Sequence, residues 1–239
     1  MLNKNILLGF IIILSVLLGI GAGSLLFQNK EVKDNIISGQ ITRTVPIVGV
    51  TSEGMGVVGL MTVEVKPGSG LVLVNINELL ADYESQLSAR NAALIAQNIT
   101  KKSLYNKDII YKLEVNASVV SGPSAGLAMA IATIAALEDK TIKDGVFMTG
   151  AVSSEGKITG VGGIDKKAEA AKSGGAKIFV IPKGNHIGNY ERNKNCKTID
   201  DFEYCEILYL PDENGLSKLY NITILEAGDI TEVLSEVIE

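Results

Sequence analysis

Ser124 stands inside the run Ser121-Gly122-Pro123-Ser124-Ala125-Gly126, where a Gly-Pro turn gives way to an alanine-rich, helix-forming segment. The first amides of a helix have no internal partner and carry partial positive charge. A hydroxyl held there has donors beside it that could receive an oxyanion, so the pattern suits a nucleophilic serine. Gly122 allows close backbone approach, and Ala125 and Gly126 keep the helix start slim. Two other readings fit the same residues. Serine is a common helix cap, and a Gly/Ser loop at a helix start can cradle a phosphate.

A serine nucleophile needs a base. The single histidine, His186, lies in a Gly/Asn-rich stretch with no motif around it and reads as a surface residue. Lysine is the alternative. Burial disfavours the charged ammonium and lowers its pKa from about 10.4 toward roughly 7–8, where the neutral amine can accept a hydroxyl proton. Lys140, Lys143, Lys157, Lys172 and Lys177 fall in turns or at helix ends, as solvated residues do. Lys166 and Lys167 follow Gly162-Gly163-Ile164-Asp165 at the start of a helix. One of the two can face inward, and periodicity leaves the choice open.

The elements that must position these groups alternate along the chain. Val45 to Val65 carries short β-branched runs broken by glycines and predicts a hairpin or two strands. Pro67 to Gly70 is a turn and Leu71 to Val74 a strand. Ile76 to Ile99 has apolar residues at three- and four-residue steps and predicts a helix. Strands are expected at Ile109 to Val115, Val146 to Thr149, Lys177 to Ile181 and Tyr220 to Leu225. Helices are expected from about Ser124 to Leu137 and from Ile164 to Lys172. The latter is ended by Gly174-Gly175. Asp229 should cap a last helix, with Glu232 as its capping-box partner. About 190–219 reads as an irregular insertion holding both cysteines, Cys196 and Cys205, which could pair in an oxidising space. The fold class is α+β, or mixed α/β.

Ile6 to Phe27 is 22 residues without a charge, long enough at 1.5 Å per residue to cross the roughly 30 Å of a bilayer core. Residues 6–27 are therefore expected to be a retained transmembrane helix in contact with lipid. Residues 1–5 form a flank, 28–44 a linker and 45–239 the functional domain. A large block after an early span favours an extracytoplasmic domain on a single-pass cell-membrane anchor. Of the 239 residues, 46% are hydrophobic and 21% charged, so there is material for a core and no case for disorder. The net charge of −5, only 5% aromatics and no Trp argue against nucleic acid as a partner.

Ser121 to Gly126, Met148-Thr149-Gly150, and Gly156 to Lys167 in that order and spacing resemble the proteolytic domain of Lon proteases, serine peptidases with a Ser–Lys dyad. The resemblance spans roughly Thr44 to Ile238. It implies that Ser124 is the nucleophile and that Lys167, rather than Lys166, is the base, 43 residues further on. It implies that Thr149 supports the lysine, and that Gly122 and Pro123 shape the oxyanion site, whose donors include the Ser124 amide. It implies no cofactor and no metal, polypeptide substrates and a homo-oligomeric ring. Two positions depart from the bacterial pattern: Ser121 stands where an acidic residue usually precedes Gly-Pro-Ser, and Ala151 where Glu usually follows Thr-Gly. The stretch Ala151 to Lys157 looks more like membrane-anchored Lon-like peptidases. No Gly-x-x-x-x-Gly-Lys-Ser/Thr loop occurs in the sequence, so the resemblance does not extend to the ATPase. The expected activity is thus ATP-independent cleavage of unfolded or extended chains. The competing expectation is a catalytically weak, membrane-tethered peptide-binding or ring-scaffold module, with a phosphate-loop kinase as a third.

Overall fold

The computed structural model describes residues 39–75, 80–115, 119–184, 191–199, 202–210 and 220–239, with side chains omitted at 119–120, 191–199 and 202–210. The expected anchor, 6–27, lies outside the described residues. Among the described residues, no helix is long and apolar enough to cross a membrane.

The frame is a seven-stranded mixed sheet. Strands β1 (Ile41–Val50) and β2 (Gly56–Pro67) form an antiparallel hairpin, and β2 pairs antiparallel with β5 (Lys107–Glu114). On the outer side β3 (Val72–Asn75) adds parallel to β5. On the other side β7 (Val146–Met148), β10 (Ile178–Pro182) and β13 (Thr223–Ala227) extend β1 in parallel, giving the order β13-β10-β7-β1-β2-β5-β3. Short pairs add β4 (Leu80–Ala81) to β6 (Val119–Val120), and β8 (Ala151–Val152) to β9 (Ile158–Thr159). The mixed α/β expectation holds. β1 begins at Ile41, so residues 41–44 belong to the sheet and not to a linker.

Side chains alternate across the sheet, and each face carries its own core. Val45, Ile47, Met61, Val63, Val146 and Met148 bury one face against α1 (Tyr83–Thr100) and α2 (Gly126–Glu138). Val48, Phe147, Phe179 and Ile181 bury the other against α3 (Ile164–Ser173). Helix α2 is hydrophobic on every side, with twelve of its thirteen residues buried, as a helix between another helix and a sheet must be. Its alanines, facing Ala89, Ala92, Ala93 and Ala96 of α1, let the two helices approach closely.

Several boundaries differ from the sequence reading. α1 starts at Tyr83 because Asp82, in an extended conformation, caps it by accepting from the Ser85 amide. The segment expected to open a helix at Ser124 first makes one 3-10 turn, Pro123–Ala125, and α2 proper begins at Gly126. The segment 190–219 is not wholly irregular: β11 (Glu191–Ile199) and β12 (Phe202–Leu210) form an antiparallel hairpin in which Cys196 and Cys205 are register partners. At the carboxyl end Asp229 starts only a 3-10 turn, Ile230–Glu232, before the four-residue α4 (Leu234–Val237). Glu232 accepts from the Gly228 amide rather than from that of Asp229.

Candidate active site

The site gathers at the carboxyl end of β7, a usual ligand position in open α/β sheets. After Met148 the chain runs Thr149-Gly150, and these two residues tie the neighbouring elements together. The Thr149 amide donates to Val180 O of β10, the Gly150 amide to Ser124 O, and the Leu127 amide to Gly150 O. The Ser124 turn is thus pinned at the strand's end from both sides of the peptide. Ser124 itself is half-buried.

Lys167 arrives from the opposite face of the sheet. It lies on the stripe of α3 formed by Ile164, Lys167, Ala168 and Ala171, all buried. The hairpin turn between β1 and β2 holds this helix in place. A Cβ at Gly56 would overlap Lys166 O, so only glycine lets the strand lie against the helix backbone. Lys167 is 5% exposed, and burial pushes its ammonium down to about 8. Its Nζ donates to Thr149 Oγ1 at 3.3 Å, and Thr149 Oγ1 donates to Ser124 O at 3.3 Å. Thr149 is fully buried. One hydroxyl therefore links the lysine amine to the serine turn. Among the described residues, no carboxylate forms an ion pair with Lys167. Lys166 points outward, exposed, and pairs with Glu169 at 3.6 Å.

Gly122 adopts φ 87°, ψ 162°, a region essentially closed to residues with a Cβ, and Pro123 occupies the first position of the 3-10 turn. The Gly122 amide is not a free oxyanion donor, because it donates to Asp82 Oδ2 at 3.0 Å. Ser85 and Ser88, both buried, donate from their hydroxyls to Gly122 O and Pro123 O at 3.3 and 3.4 Å. Sequence reasoning missed Asp82, Ser85 and Ser88. The available signal was Asp82 itself, a good helix cap preceding Tyr83-Glu84-Ser85. Of the residues expected at the site, Ser124, Lys167, Thr149, Gly122 and Pro123 come together; His186 lies outside the described residues.

The Lon protease (S16) C-terminal proteolytic domain family matches residues 60–198, more than half of the chain and inclusive of Ser124, Thr149 and Lys167. The chain belongs to this family of serine-type peptidase domains. An archaeal Lon protease of Archaeoglobus fulgidus is 29% identical over 216 residues, covering 89% of this chain and 31% of that protein. The archaeal Lon protease of Methanocaldococcus jannaschii is 32% identical over 162 residues, covering 64% and 25%. The Lon protease of Clostridium acetobutylicum is 32% identical over 126 residues, covering 51% and 16%. This Lon-type chain thus spans under a third of the length of these relatives.

Proposed function

We propose that this Lon-type chain is a membrane-anchored, ATP-independent serine endopeptidase, with Ser124 as nucleophile and Lys167 as general base. The observation that carries the reading is the buried amine of Lys167, depressed to about 8 and joined through Thr149 to the Ser124 turn. About a tenth of such amines are neutral at pH 7, enough for a base that turns over repeatedly. Ser124 Oγ attacks the scissile carbonyl as Lys167 Nζ takes its proton. The amide of Ser124, at the start of the turn and without a helical acceptor, stabilises the oxyanion. Lys167 then protonates the leaving amine, and water, deprotonated by the same amine, hydrolyses the acyl-enzyme.

Substrates are unfolded or extended polypeptides, since the sequence carries no nucleotide-binding loop to drive unfolding. Residues 6–27 supply the single-pass anchor by their length and lack of charge, and the large block that follows this early span favours an extracytoplasmic peptidase domain. Assembly into a ring follows the family. The test is cleavage of a casein-like unfolded substrate by the 239-residue chain and by Ser124→Ala and Lys167→Ala. Both variants should be inert. Wild-type rates in both would overturn the dyad, and a folded wild type that binds but does not cleave would favour the peptide-binding scaffold.

A further inference from the structure

The first turn and a half of α1 reaches 40 residues along the chain to grip the loop that precedes Ser124. Asp82 uses its two carboxylate oxygens for different tasks. Oδ1 caps α1 by accepting from the Ser85 amide at 2.8 Å, and Oδ2 accepts from the Gly122 amide at 3.0 Å. Ser85 Oγ closes the same unit by donating to Gly122 O at 3.3 Å. Both polar groups of Gly122 are therefore fixed by one helix terminus. The grip falls where the backbone takes a conformation that only glycine adopts readily, so the peptide plane entering the nucleophile turn has little local preference of its own. The charged acceptor makes this bond stronger than a neutral one. Burial pushes the Asp82 carboxyl up, and the amides of Ser85 and Gly122 with the Ser85 hydroxyl more than offset it, so it stays ionised below the usual carboxylate range. Residue 121, immediately before this unit, is an exposed serine with no carboxylate to offer.

We infer that Asp82 is a positioning residue for catalysis: through the Gly122 amide it sets the orientation of the turn that presents Ser124 and its oxyanion donors. The inference rests on the peptidase reading above. It differs from a purely structural role because the two oxygens can be separated. Asn is as good a helix cap as Asp, yet a side-chain amide has one accepting oxygen and cannot serve both amides. Asp82→Asn keeps the cap and loses the grip, whereas Asp82→Ala loses both.

The experiment compares the 239-residue wild type, Asp82→Asn and Asp82→Ala in three readouts: thermal unfolding, kcat and KM on an unfolded substrate, and the rate at which a fluorophosphonate modifies Ser124. Asp82→Asn should melt between wild type and Asp82→Ala, since it keeps the cap and loses one hydrogen bond, but lose about ten- to a hundredfold in kcat and in labelling rate, with KM nearly unchanged, the penalty expected for a misplaced reactive group. Its pH midpoint should stay at the wild-type value, since Asp82 does not touch Lys167. Asp82→Ala should lose stability as well. Wild-type kcat and labelling in Asp82→Asn would overturn the inference while leaving the dyad intact. So would an Asp82→Asn protein whose loss of activity is matched by melting as low as that of Asp82→Ala. A wild type that neither cleaves nor labels would instead sink the peptidase reading, and this inference with it.

Discussion

Replacing Lys167 by Met should abolish activity and make the protein more stable. The amine's fall from an ordinary 10.5 to about 8 means that holding its charged form in the folded state costs about 3 kcal/mol. Methionine fills a similar space with an unbranched apolar chain. It forfeits the hydrogen bond to Thr149 Oγ1, worth about 1 kcal/mol. The net expectation is a gain of about 2 kcal/mol at pH 7, or roughly 4–8 °C in Tm for a domain of this size. The pH dependence separates this effect from ordinary repacking. The folded-state pKa lies below the unfolded one, so between about pH 8 and 10.5 the unfolded wild type holds a proton that the folded one lacks. Wild-type stability therefore rises with pH across that window. The variant has no such rise, and its advantage should shrink above pH 8 and be gone by about 10.5. Urea unfolding followed by circular dichroism at pH 7 and pH 10 reads both quantities. A variant less stable than wild type at pH 7, or one whose advantage is the same at both pH values, would refute the claim of a strained buried charge.

Other outcomes follow from neighbouring contacts. Thr149→Val removes the hydroxyl between Lys167 Nζ and Ser124 O, so it should cost about 1–3 kcal/mol in urea unfolding. With one acceptor fewer for the ammonium, it should also move the acidic limb of the activity profile below pH 8. Gly122→Ala forces a Cβ into φ 87° and should cost about 1–3 kcal/mol together with most of the activity, measured by melting and peptide cleavage. Cys196 and Cys205 are register partners in an antiparallel hairpin, a backbone spacing of about 4.5–5.5 Å that lies within the range a disulfide spans. Oxidised glutathione should convert them to an intramolecular disulfide, each thiol losing a hydrogen, and peptide mapping by mass spectrometry should find the two peptides linked; two separately glutathionylated thiols would contradict the pairing.

Much of the sheet was legible because its strands are β-branched and bounded by glycines or prolines, as in Val45 to Val65 and Lys177 to Ile181. The buried lysine was also within reach. Ile164, Ala168 and Ala171 mark an apolar stripe on α3, and Lys167, three residues after Ile164, falls on it while Lys166 does not. The choice between them nevertheless came from family resemblance, because one isoleucine and three weakly apolar alanines define a face poorly. The start of α1 was misplaced because apolar spacing runs on through Ile76 to Leu80, and only the cap at Asp82 marks the true boundary. The β11–β12 hairpin escaped notice because its strands mix Lys, Asn, Glu and Cys and show no clean alternation. The Asp82–Gly122 bond joins residues 40 positions apart, and no local pattern announces it.

The central claim is that a neutral lysine amine, made available by burial, activates Ser124. It is tested most directly by the pH dependence of fluorophosphonate labelling of Ser124, followed by mass spectrometry in wild type and Lys167→Met. With the amine titrating at about 8, the wild-type rate should rise about tenfold from pH 7 to pH 9 and then level, while Lys167→Met stays unlabelled throughout. Equal labelling of both proteins, or a wild-type rate indifferent to pH across that range, would contradict it.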